Sequence, residues 1–403
     1  MREKRKSICI IAFSPIARDG RVLRQIQYLS PHYDVTVIGQ GEAHSSWKDM
    51  SGVRWLPTLQ IKPERSPRRL MEKGVGLFSL LAGRVHPDSF NRWYWRQPIM
   101  KDTLAKALAS DCDAFHANDW NTLPIAVEAA KKLKARVLFD AHEFGPLEFE
   151  NRAAWRIPYS PMITYMLGKY GPKADVSITV APAIAARLQR EFQMDTSVIL
   201  NTPAASIARA RDAETNFADV RLIHHGGAIR DRRLEVMIAA LAQCDSRFSL
   251  HLMLVPVDTT YIAYLKNLAE ELTPGRVFFH DPVAPEEVVE RISGYDVGLC
   301  YIAPTNYNYL VSLPNKFFDF IAGGLPVCIG PSPSMAEIVN SYNLGCVAAS
   351  FEPEDMAAAL NQLTPEQLAA MRRGARVAAR EINADREMGK LVEIYKRLLA
   401  EEQ

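Results

Sequence analysis

Unbroken apolar runs of about four to eight residues, each followed by a segment of helical period, recur along almost the whole chain, in two separate series. "ICIIAF" (8–13) leads through "RVLRQIQYLS", where Val22, Leu23, Ile26 and Leu29 share a helical face, into "YDVTVIG" (33–39). A run that is apolar at every position suits a strand covered on both faces. Strand, helix, strand in that order is a right-handed parallel crossover. The pattern returns through "CDAFHAND", "TLPIAVEAAKKLK", "ARVLFDAHEF", "ADVSITVAPAIAARLQREF" and "TSVILNTP". It breaks at "AASIARARDAETNFAD" (204–219) and starts afresh at "VRLIHHGG", running to "GCVAAS" and an Ala/Arg/Glu-rich helical tail. The expectation is an α/β protein of two doubly wound, Rossmann-like parallel-sheet domains facing across a cleft. The N-terminal domain spans 1–205, a linker 206–219 and the C-terminal domain 220–380, and a helix at 381–403 packs back on the first domain. Ligands of open parallel sheets sit beyond the carboxyl ends of the strands, so the βα loops are where chemistry is sought.

Composition narrows the function classes. The 403 residues carry a formal net charge of +2, which gives no reason to expect nucleic acid as a partner of the whole chain. The six cysteines are scattered, without a CxxC pair, and several fall inside apolar runs; buried reduced thiols of a cytoplasmic protein are the expectation. No apolar run reaches the roughly 18 residues of a membrane span. "MREKRKSICIIAFSPIARDG" reads as a first buried strand rather than as an export signal. One segment differs: 54–101 is rich in Arg, Pro and Trp, with ten Lys or Arg against three Asp or Glu. It reads either as an insertion with a solvated basic face or as a surface that docks on anionic membrane, which would make the protein peripheral on the inner face of the membrane.

Five loop stretches carry polar residues suited to chemistry. "SLPNKFFDFIAGG" (312–324) begins a helix on Leu313-Pro314-Asn315-Lys316, with Ser312 a candidate cap. The free N–H groups and positive dipole end of a helix suit phosphate. Lys316 opposes that dipole unless an anion is bound, and Asp319, one turn on, is placed to accept from a ribose hydroxyl. A plain capped helix with a solvated lysine and aspartate is the alternative. "HHGGAIRDRRLE" (224–235) offers Gly226 and Gly227 for close backbone approach, with Arg230, Arg232 and Arg233 beside them; it is neither a Walker loop nor GxGxxG. "FDAHEF" (139–144) and "FHANDW" (115–120) place Asp140, His142 and Glu143, and His116 and Asp119, at strand ends. No HExxH spacing follows His142, so no metal is expected there. Asp19-Gly20 turns the first strand into its helix.

Together these stretches resemble a retaining glycosyltransferase of the GT-B fold, family 4 type, in the branch with an S-L-P-N-K motif. "DGRVLRQIQYLSPHYDVTVIG", "VLFDAHE", "HHGGAIRDRRLEVMIAAL" and "DVGLCYI…SLPNKFFDFIAGGLPVCIG" occur in the family's order and cover nearly the whole chain. The resemblance implies metal-independent sugar transfer from a UDP- or GDP-linked donor to a hydroxyl of a glycan or lipid-linked acceptor. His142 matches the histidine that contacts the donor sugar. Arg232 and Lys316 match the cations on the diphosphate, and Asp319 matches the second acid of an E-x7-E pattern. Gly20, Gly226, Gly227, Arg230, Leu313, Pro314 and Asn315 fall in donor-binding stretches, and Asp19, His116, Asp119 and Glu143 on the acceptor side. Two positions depart from the pattern: Val311 stands where the first acid would, and Gly227 where the donor loop usually has Arg, for which Arg230 is a compensating candidate. Rival readings are a UDP-sugar 2-epimerase of the non-hydrolysing type, a non-catalytic partner of the same fold and a two-domain solute-binding protein.

Overall fold

The computed structural model describes residues 5–43, 52–59, 76, 79–204 and 215–400. The chain divides into two compact units, Met1–Ile199 with Met388–Gln403, and Leu200–Glu387. Most of the segment read as a linker lies outside the described residues, as does much of 54–101.

The first unit holds seven parallel strands: β1 (Ser7–Pro15), β2 (Asp34–Gln40), β3 (Val53–Pro57), β4 (Ala114–Asn118), β5 (Arg136–Ala141), β6 (Val176–Thr179) and β7 (Thr196–Val198), in the order β3-β2-β1-β4-β5-β6-β7. The order reverses direction between β1 and β4, which pair from Ile8↔Ala114 to Ile11↔Ala117. At such a switch point the two following βα loops diverge and leave room for a ligand. The edge strand β3 was not legible in sequence, because Arg54 interrupts its short apolar run. The core packs Ile8, Ile10, Val35, Val37, Leu138 and Ile178 with Val22, Ile26 and Leu29 of the helix Gly20–Leu29. Met388, Leu391, Val392 and Tyr395 from the chain's end belong to the same cluster. Each such fully buried aliphatic side chain is worth about 1.5–3 kcal/mol.

The second unit holds β8 (Val220–Gly227), β9 (Phe248–Val255), β10 (Val277–His280), β11 (Val297–Cys300), β12 (Val327–Ile329) and β13 (Gly345–Val347), all parallel, in the order β10-β9-β8-β11-β12-β13. Its switch point lies between β8 and β11. The helix Asn315–Ala322 lies against this sheet because Gly298, on β11, has no side chain. A Cβ there would come within 2.4 Å of the Phe320 ring. The loop after β11 meets the loop after β8: Thr305 Oγ1 donates to the Asp231 carbonyl at 3.3 Å, and the Ala303 N–H faces the Arg232 carbonyl.

Candidate functional site: two polar clusters at the strand ends

In the second unit, three sequence-predicted residues converge at the end of β8. Gly226 has φ +122, a conformation L side chains rarely adopt, and a Cβ built on it would lie 3.5 Å from Lys316 Nζ and 3.9 Å from Arg232 Nη1. Lys316 is only 5 % exposed although it is a lysine in the first turn of its helix. Its ammonium turns inward and donates to His224 Nε2 at 2.9 Å. Burial, and then the nearby Arg232 cation, push the Lys316 pKa down to about 7. Arg232 has its buried Nε without a hydrogen-bond partner. Two cations thus crowd one glycine beside a helix N-terminus whose first N–H groups receive no side-chain cap. Such an arrangement is costly when empty and favourable around an anion.

The expected cap is not made by Ser312. Pro314 is the residue at the N-cap position, and Ser312 Oγ donates to the Tyr309 carbonyl at 3.0 Å instead. Asn315 Oδ1 accepts from Asn201 Nδ2 at 2.8 Å, and Leu313 is buried. Asp319 Oδ2 lies 3.5 Å from His225 Nε2. Burial and Lys316 push the His225 pKa down to about 3, so this ring is neutral and the contact is not an ion pair; the ring nitrogen makes no aligned hydrogen bond. Arg230 is engaged elsewhere: it pairs with Asp258 (2.8 Å) and Thr260 (2.9 Å) and lies over the Tyr261 ring. The Gly227 Cβ position opens toward Val257 and Ile229. Val311 is buried, at the end of a short helix, Tyr307–Val311, that follows the Asn306 side-chain cap. That position therefore serves packing.

The first unit gathers the other predicted residues at the ends of β4 and β5. Asp140 is fully buried and accepts from Arg21 Nε at 2.7 Å, Arg21 Nη2 at 2.8 Å and Gln25 Nε2 at 2.6 Å. His142 Nε2 faces Asn118 Oδ1 at 3.1 Å and Asp140 Oδ2 at 3.4 Å, while Nδ1 lies 3.5 Å from Asp119 Oδ2. Burial alone would lower the His142 pKa, but Asp119 and Asp140 outweigh it and raise it to about 9. The imidazole is therefore a cation at neutral pH, a hydrogen-bond donor rather than a base. His116, named above as an acceptor-side candidate, is fully buried with its Nδ1 3.0 Å from the Tyr395 hydroxyl; no part of it meets solvent. Asp19 caps the first helix, accepting from the N–H groups of Arg21 and Val22. Gly20 is the first residue of that helix, without a positive φ. Asp119 sits at φ 65, and Glu143 is exposed. Sequence reasoning missed Arg21, Gln25 and His224, because a polar residue inside a helical or apolar run carries no spacing signal.

Among the described residues, no group of three or more His, Cys, Asp or Glu is arranged to hold a metal, and no helix is long and apolar enough to cross a membrane.

Comparison with known proteins bears on the fold and on the second unit. Residues 220–365 match the family described as Glycosyl transferases group 1. No curated protein matches the chain. Among solved structures, Anabaena HepE in complex with UDP and glucose is 14% identical with a TM-score of 0.68, covering 96% of this chain and 99% of that one. Sucrose-phosphate synthase from Thermosynechococcus elongatus is 15% identical with a TM-score of 0.72, covering 99% and 100%. A UDP-forming α,α-trehalose-phosphate synthase from Burkholderia vietnamiensis is 10% identical with a TM-score of 0.68, covering 97% and 100%. At these identities the likeness is one of fold: two parallel-sheet α/β domains of the GT-B class. Within the second unit, residues 220–365 thus form a domain that matches the glycosyl transferases group 1 family.

Proposed function

We propose that the protein transfers a sugar from a nucleotide-sugar donor to a hydroxyl of a glycan or lipid-linked acceptor, with retention and without a metal, in the manner of family 4. The second unit is the donor side and the first the acceptor side. The observation that carries this reading is the convergence of Lys316 and Arg232 on Gly226, next to an uncapped helix start. As the donor bond breaks, negative charge develops on the departing diphosphate. A buried and a partly buried cation and the N–H groups of the helix start stabilise that charge more in the transition state than in the ground state. Solved HepE holds UDP and glucose, and one trehalose-phosphate synthase is UDP-forming; on that likeness the donor is assigned as UDP-linked. Asp319 is assigned to the ribose. His142, cationic at neutral pH, is assigned to the donor sugar, where a sugar hydroxyl would compete with Asn118 and Asp119 for its ring N–H groups.

Incubation with UDP-sugars and a panel of acceptor hydroxyls, with EDTA present, tests the reading. Free UDP should appear only when an acceptor is present, and the product should keep the anomeric configuration. An epimerised nucleotide sugar formed without acceptor would establish the rival epimerase reading, and inverted product would remove retention.

A further inference from the structure

We propose that His224 is a positioning residue for the diphosphate site: a permanently neutral imidazole that holds the Lys316 ammonium at the end of β8, where the donor's phosphates would lie. The inference rests on the donor reading above and adds to it a residue to which the sequence analysis assigned no role.

The argument starts from hydrogen-bond direction. His224 has no exposed surface. Its Nδ1 lies 2.8 Å from the Leu299 carbonyl oxygen, which can only accept, so Nδ1 carries the proton. Its Nε2 lies 2.9 Å from Lys316 Nζ, which as an ammonium can only donate, so Nε2 carries the lone pair. The two contacts select one tautomer and leave no place for a second ring proton. Burial and the adjoining Lys316 cation also disfavour imidazolium, and hold the His224 pKa well below its ordinary value. The chain of contacts runs from Leu299 on β11, through His224 on β8, to Lys316 on the helix Asn315–Ala322. It spans the switch point and ties a flexible side chain to two strands.

Without this acceptor, a buried lysine facing Arg232 would turn toward water or lose its proton. The groups that face Lys316 are Arg232 from the loop after β8, His224 and His225 on β8, Cys300 on β11, and Asp319 on its own helix. Arg232 disfavours the ammonium, and both histidines are neutral. Of these groups, His224 is the one in direct hydrogen-bond contact with Nζ. One of the three ammonium protons is spent on it, leaving two for phosphate oxygens.

The test is UDP binding to the full chain by calorimetry between pH 6 and 9.5, in wild type, His224→Phe, His224→Gln, Lys316→Met and the His224→Phe/Lys316→Met double variant. In wild type, affinity falls on the alkaline side as Lys316 loses its proton. His224→Phe removes the acceptor, so the fall should move to lower pH by about one unit and weaken binding at pH 8 about tenfold, the value of one charge-assisted hydrogen bond. His224→Gln, whose amide oxygen can accept, should recover most of the loss. In the Lys316→Met background the alkaline fall should vanish and His224→Phe should add nothing. If His224→Phe keeps the wild-type pH profile, or weakens UDP equally with and without Lys316, the positioning role is overturned and the donor reading stands. If Lys316→Met binds UDP as wild type does, the donor reading fails and takes this proposal with it. A measurement that needs no variant is nitrogen NMR of the wild-type imidazole. It should report a neutral Nδ1–H tautomer throughout the range used for calorimetry, and an Nε2–H tautomer or imidazolium there would overturn the proposal.

Discussion

Arg21 and Asp140, 119 residues apart in sequence, meet in a two-pronged ion pair with Nε–Oδ2 at 2.7 Å and Nη2–Oδ1 at 2.8 Å, both side chains buried. The pair joins the first helix to the end of β5, and the same carboxylate faces His142. Breaking it from one side leaves a buried charge without its two-pronged partner. Arg21→Met or Asp140→Asn should each cost about 3–5 kcal/mol in chemical denaturation of the first unit. The Arg21→Met/Asp140→Leu double variant should cost clearly less than the sum. Additive losses would show that the two groups do not act as a pair.

Charge removal at the donor site should spare stability and cost binding. Lys316→Met and Arg232→Met should each weaken UDP about tenfold or more, and lower the stabilisation that a fixed excess of UDP gives by about 1.4 kcal/mol or more. Lys316→Met relieves a desolvated cation, so the ligand-free protein should be as stable as wild type or more so.

The depressed Lys316 pKa, about 7, gives UDP binding a pH signature. A bound diphosphate favours the ammonium and raises that pKa. Below pH 7 the lysine is already protonated and its own contribution to the pH dependence is flat. Above it, binding takes up close to one proton and affinity falls up to tenfold per pH unit. Calorimetry in buffers of different ionisation enthalpy reads the proton count. Without ligand the sign reverses: the unfolded lysine holds its proton to higher pH, so this group makes the folded protein more stable as pH rises from 7 toward 10.

Gly298→Ala should act on the site from beneath. The added methyl meets the Phe320 ring at 2.4 Å and pushes on the helix that carries Lys316. Overpacking of this kind costs about 1–3 kcal/mol. A thermal melt and UDP calorimetry should both register it, while Gly389→Ala, where a Cβ meets nothing within 4 Å, should be silent in both.

We propose that an anionic membrane meets the first unit around the described part of 54–101. Leu81 and Val85 are exposed there at 41% and 76%, beside Arg84, Arg92 and Arg96. The start of the neighbouring helix Ala153–Tyr170 adds exposed Ile157 and Arg156, with Trp155 stacked on Tyr159 and Tyr159 edge-on to Trp93. Flotation with phosphatidylserine vesicles should carry the protein, with loss of binding at high salt. Replacing Arg92, Arg96 and Arg156 with Gln should weaken it by about 1 kcal/mol per charge. Equal flotation with neutral vesicles would remove the electrostatic part of the proposal.

Sequence periodicity located nearly every strand, because a parallel strand buried on both faces must be apolar throughout and its crossover helix must show a stripe. It was weaker where that pressure relaxes, at β3, an edge strand. The site was legible as stretches rather than as partners. "SLPNK" and "HHGG" marked where an anion could sit, but Ser312 turned out not to cap, and Arg230 went to Asp258.

What the sequence by itself determined is the fold class and the two strand-end regions where polar residues collect, since both follow from local pattern and chain order. Only the tertiary structure decided which polar groups face one another. Lys316 turns inward to His224 rather than out to water, and Asp140 holds Arg21 rather than a ligand. The reason is that hydrogen-bond direction and desolvation depend on neighbours brought from 92 and 119 residues away, which no spacing in the chain encodes.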